Sequence, residues 1–136
     1  MQEKERIDLE EGREIAQKVI RKEKIKVLIY PVTIFAFIYG AWLTIHPQIL
    51  ETYKVYEIIS NILTSAQVGG TFMVVSAALI TAFRLGYRRA TLSLSLILLC
   101  MWSVFTFSFI VTVPPNTVWI LALTWTYFSF ELVRRI

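Results

Sequence analysis

Cysteine and histidine are nearly absent: Cys100 and His46 are the only ones in 136 residues. One cysteine excludes an internal disulfide, and one histidine with no Cys or Asp cluster around it leaves no metal site. Cys100 lies inside an apolar run and reads as a small buried hydrophobe, whereas His46, just before Pro47, reads as an interfacial anchor. Charge is scarce as well. Charged residues make up 18% of the chain and hydrophobic ones 56%, with a mean hydropathy of +0.59, against about a quarter charged in a soluble domain. The scarcity is uneven, for no Asp, Glu, Lys or Arg occurs in 27–45, 58–83 or 90–130. Ionisable groups inside a membrane mark proton relays and ion paths, so their absence from these runs speaks against proton-coupled transport. No nucleophile–base pair stands out either, so neither an enzyme nor a cofactor is expected.

What is present is a series of long apolar runs. About 20 residues suffice to cross a hydrocarbon core of ~30 Å, and four runs are read as spans, at 27–45, 61–83, 90–113 and a shorter, aromatic one at 118–133. The expectation is an all-α fold: a polytopic membrane bundle of four transmembrane helices (27–136), preceded by a charged cytoplasmic or interfacial helix (1–26). Residues 91–96, TLSLSL, alternate like a strand. A lone hexamer cannot close a barrel, however, and open sheet edges are not tolerated in lipid. Pro31 is expected to kink the junction with the first span. Residues 46–60 hold Glu51, Lys54, Glu57, Tyr53 and Tyr56, the mixture of a short interfacial helix on the outer face. Pro114, Pro115 and Asn116 read as a tight turn between the last two spans.

Residues 1–26 interleave acids and bases and contain no proline. Ile15, Ala16, Val19 and Ile20 make a narrow apolar stripe, Glu14 and Lys18 have the favourable acid-first spacing, and Gly12 weakens the first part. Six acids and three bases occupy 1–14, whereas 18–26 hold five bases and one acid. The basic half is expected to rest against the membrane and the acidic half to reach toward a protein partner. A secretory signal is not expected, because the stretch is too long and too acidic and no small-residue cleavage site follows the first apolar run.

Orientation follows from the bases. With four spans and the N-terminus inside, thirteen of the fourteen Lys and Arg residues fall on the cytoplasmic side and only Lys54 falls outside. That is the pattern of the positive-inside rule, and it places the chain in the inner (cytoplasmic) membrane with both ends cytoplasmic. Arg21, Lys22, Lys24, Lys26, Arg84, Arg88, Arg89, Arg134 and Arg135 are the candidate membrane-surface bases, set to meet anionic headgroups. Because the bases flank apolar runs, the net charge of +4 is assigned to lipid, and no nucleic-acid partner is expected.

Two groups of residues are candidate working surfaces. Ser65 with Gly69, and Ala66 with Gly70, have the small-xxx-small spacing that lets membrane helices approach closely, and both pairs are assigned to helix packing. Gln67, Thr117, Thr124, Tyr127 and Glu131 form a candidate polar face; the last four share one side of a helix. Gln67 with Gly69, Gly70 and Thr71 also has the composition of an unwound transporter segment, set against a plain packing face with Gln67 bonded across helices. Glu131 is weighed as a pore-mouth acid against a partner for Arg134 and Arg135. Trp102 and Trp125 read as packed aromatics at similar depth.

In length and span number the chain is similar to the small multidrug resistance transporters, but its first span lacks the membrane-embedded glutamate of that family. The segment FIVTVPPNTVWILALTWTYFSFELVRRI resembles the C-terminal part of small uncharacterised multispan membrane proteins encoded by bacteriophages. That resemblance implies a prokaryotic or viral membrane setting. The expected function is therefore non-enzymatic: assembly as a homo-oligomer or on a partner through residues 1–26, with a holin-like, pore-forming role as the specific form. The alternative is a small transporter or channel subunit with a substrate path near the second span.

Overall fold

The computed structural model describes residues 1–48, 56–111 and 117–136, and among these it is all-helical, with no strand. The elements are α1 (Gln2–Ile45), a one-turn α2 (Glu57–Ser60), α3 (Ser65–Arg84), α4 (Arg88–Val111) and α5 (Val118–Arg135). The expected turn at Pro114–Asn116, along with Tyr53 and Lys54, lies outside the described residues. Three helices, α1, α3 and α4, are long and apolar enough to cross a membrane. α5 has 18 residues but carries Glu131, Arg134 and Arg135 in its last five positions.

No separate N-terminal helix precedes the first span. Residues 2–26 are the first half of α1, which runs unbroken through Gly12 and Pro31. Alternating charge does not end a helix, and at about 1 kcal/mol against alanine a single glycine does not either. Pro31 deletes one backbone donor, the one that would reach the Val27 carbonyl, and the loss of one bond does not end a helix of 44 residues. At 1.5 Å per residue, α1 is about 66 Å long. The acid–base contact along its charged half is Lys26 to Glu23 at 3.1 Å, not the Glu14–Lys18 pair expected from spacing.

The start of α3 and the α3–α4 turn are set by local chemistry. Thr64 caps α3 with a reciprocal box: its hydroxyl accepts the Gln67 N–H, and the Gln67 side-chain oxygen accepts the Thr64 N–H at 3.0 Å. At the other end, Gly86 takes φ +78°. There its N–H reaches the Phe83 carbonyl, and the Tyr87 N–H reaches that of Ala82, a Schellman closure that needs a residue tolerant of positive φ. The chain reverses within three residues, and α4 returns beside α3.

The closest neighbours are α1 with α3 and α4 with α5; α3 packs on α4, and α5 also packs on α1. Aromatic rings fill the middle. Phe35 of α1 stacks on Trp125 of α5 with centroids 4.0 Å apart, and Phe72 lies 5.1 Å from Trp102 and 5.4 Å from Phe105. Trp102 and Trp125 do sit side by side, with centroids 6.5 Å apart. Offset and edge-on ring contacts add to the area these large side chains bury. Cys100, expected to be buried, is instead exposed on the outer side of α4, a position that suits an apolar thiol facing lipid.

Candidate functional site

The small-residue seam is built by two helices, and only one of the two candidate pairs takes part. Ser65 and Gly69 are buried, while Ala66 is exposed and Gly70 lies in open space. Gly69 faces Gly40 of α1 so closely that a Cβ on Gly40 would meet the Gly69 carbonyl oxygen at 2.6 Å. A Cβ on Gly69 would meet the Gly40 carbonyl oxygen at 2.5 Å. One turn away, the Ser65 hydroxyl donates to the Leu43 carbonyl at 2.7 Å. The seam therefore joins α1 and α3 of one chain. Its α1 half, Ala36, Gly40 and Thr44, repeats the small-xxx-small spacing, a sign in the first span that sequence reasoning missed.

The candidate polar face does not converge. The Gln67 side chain is spent on the α3 cap, and α3 is regular helix through Gly69, Gly70 and Thr71, so neither an unwound segment nor a Gln67 bond across helices is present. Thr117, Thr124 and Tyr127 are exposed, and the Thr124 hydroxyl donates to its own helix at the Ile120 carbonyl, 2.9 Å away. That back-bonding is the usual fate of threonine in a membrane helix. Glu131 alone of the α5 set is buried, and its Oε1 accepts from Arg134 at 2.8 Å and from Arg135 at 3.0 Å. The hydrogen bond to Glu131, and next the coulombic attraction to it, raise the Arg134 pKa above its ordinary value. His46 is exposed beside Trp42, and its ring nitrogen lies 3.2 Å from the Trp42 carbonyl.

The bases, by contrast, are gathered. Arg21 of α1 and Arg88 at the start of α4 both donate to the main-chain oxygen of Ile136, the last residue of the sequence, at 3.3 and 3.0 Å. Arg135 reaches the Lys24 carbonyl at 3.1 Å. Residues separated by more than a hundred positions thus meet at one end of the bundle. Arg84 and Arg89 flank the turn at the same end, while Lys22 and Lys26 lie on the stretch of α1 that reaches it.

At the opposite end, the Tyr39 and Tyr56 hydroxyls are 2.9 Å apart. A cavity of about 40 Å³ lies beside them between Phe35, Trp102, Ala122 and Trp125. The indole N–H groups of Trp102 and Trp125, and the hydroxyls of Ser76 and Ser129, have no hydrogen-bond partner among the described residues. No cluster of metal-ligating side chains occurs among them either.

What these features define is an all-helical bundle with three helices suited to crossing a membrane and a basic cluster at one end. No family model, no curated protein and no solved structure matches the chain.

Proposed function

We propose that this chain is a non-enzymatic inner-membrane protein that crosses the bilayer four times and acts through assembly, with residues 1–26 as its cytoplasmic handle. The observation that carries this reading is the form of α1. Every residue from Met1 to Lys24 is exposed, on a helix whose second half is built into the bundle. Residues 2–17 extend about 24 Å as helix and line neither the basic end nor the core. They carry the acidic half of the arm and hold Ile7, Leu9 and Ile15 in the open. A stiff, exposed, mixed-charge helix fixed to a membrane bundle suits docking to a protein partner or to a second copy.

Support for the fourth crossing comes from α5. Its far end approaches Tyr39 and Tyr56 through Leu121 and Ala122, and Ile136 lies against Arg21 and Arg88. At 18 residues it is about 27 Å long, nearly the apolar thickness of a bilayer. The charges that lower its apolarity sit at the basic end, where headgroups would meet them. That end is the cytoplasmic one under the positive-inside rule.

A holin-like assembly is the specific form proposed, in keeping with the phage-like C-terminal segment. Ring packing fills the centre of one chain, so a pore would form between copies. Expression of such a protein depolarises the membrane, whereas a docking subunit leaves the potential intact and co-purifies with its partner. Deleting residues 2–14 should leave insertion and complex mass unchanged while abolishing depolarisation or partner capture. A truncated chain that stays fully active, or that no longer inserts, refutes the handle.

A further inference from the structure

We propose that the basic end holds a specific site for the phosphate of an anionic membrane lipid, in a pocket between α1 and the α3–α4 turn. The cavity there has a volume of about 240 Å³ and is lined by Lys18, Arg21 and Lys22 of α1 and Arg88 of α4, over a floor that includes Ile25 and Phe83. This goes beyond the general attraction of surface bases for a negatively charged leaflet, because four cations from two helices surround one concavity.

The first argument is charge. Among the side chains lining the pocket none is acidic; the main-chain oxygen of Ile136, the last residue of the sequence, also lines it, and even as a carboxylate it leaves the four cations in excess. Of the acids near in sequence, Glu23 pairs with Lys26 and Glu131 with Arg134 and Arg135, and Glu14 does not line the pocket. The second is geometry. Arg21 and Arg88 already converge on a single oxygen, that of Ile136, and each guanidinium uses one of its five N–H donors there. Donors in a fixed fork remain for a phosphate, the group whose shape arginine matches best. The third is the change of polarity with depth. Lys18, Arg21 and Lys22 form the outer wall, and Ile25, one turn further along α1, is buried with Phe83. A phospholipid has the same order, phosphate outside and acyl chain inside. Basic pockets between membrane helices on the cytoplasmic side recognise headgroups in this way.

The inference rests on the chain residing in a membrane with its basic end at headgroup level, but not on the arm having a partner. The test uses the full chain in a neutral detergent and counts lipid adducts by native mass spectrometry. Phosphatidylglycerol, phosphatidylcholine and inorganic phosphate are added separately and in competition. Wild type should retain phosphatidylglycerol over phosphatidylcholine, and inorganic phosphate at equal concentration should not displace it. The variant K18Q/K22Q, altered only at exposed side chains, should lose retention about tenfold or more. The variant K4Q/R6Q removes the same charge about 20 Å further along α1 and should keep it. Deletion of 2–14 should keep it too, which separates this site from the docking reading. Equal loss in both double variants would reduce the effect to net charge and overturn the site, as would retention of both lipids alike. Displacement by equimolar inorganic phosphate would overturn its assignment to lipid.

Discussion

At Gly40 and Gly69 the backbones of α1 and α3 approach until neither position has room for a methyl group. Alanine at either site must push two helices apart, and overpacking of this kind costs about 1–3 kcal/mol. Gly69→Ala and Gly40→Ala should therefore destabilise the bundle by that amount in a denaturant titration in detergent. Gly70→Ala meets nothing within 4 Å and should be neutral or slightly stabilising, because alanine is the better helix former by up to about 1 kcal/mol. Equal effects at 69 and 70 would show that the seam does not run where it is placed here. The small-residue character of the second span is plain from its residues, but the choice between Ser65–Gly69 and Ala66–Gly70 is not. The two pairs differ by one position, about 100° around the helix, and only the neighbour decides which is covered. That neighbour is the Ala36–Gly40–Thr44 row, whose spacing carries the information on the other helix.

Among the elements, α1 departs most from sequence reasoning. A charge boundary near residue 26 and a proline at 31 suggest two helices, yet neither stops hydrogen bonding along the backbone, and residues 2–45 form one rod. Spin labels at positions 4 and 24 should then lie about 30 Å apart, apart from label length, with one narrow distance distribution. A broad or two-peaked distribution would mean that the arm bends on its way to the bundle. The start of α3 allows a second test. Thr64→Ala removes the hydroxyl that accepts the Gln67 N–H and should lower stability by about 1 kcal/mol, whereas Thr64→Ser should keep most of it. An alanine variant as stable as wild type would remove the cap from the account and return Gln67 to the candidates for a transport path.

Over the whole molecule, the runs of 20 or so apolar residues carry most of the fold in plain view, because lipid demands length and apolarity within one contiguous segment. The basic end is different. Its pocket joins Lys18, Arg21 and Lys22 to Arg88, and its hydrogen bonds join residues 111 and 115 positions apart. No local pattern announces such a meeting. The bases are visible one by one in the sequence, but their convergence is a property of the folded bundle.

The central claim is that the chain crosses the membrane four times with its basic end in the cytoplasm. Cysteine labelling in intact cells tests it most directly, in a background where Cys100 is replaced by serine. Single cysteines at 88 and 135 sample the basic end from α4 and α5, one at 4 samples the arm of α1 beyond it, and one at 54 samples the segment expected on the outer face. Under this account a membrane-impermeant maleimide labels position 54 at once and labels 4, 88 and 135 only after permeabilisation. Labelling of position 88 or 135 from outside intact cells would contradict it, by placing a basic cluster on the wrong face or removing a crossing.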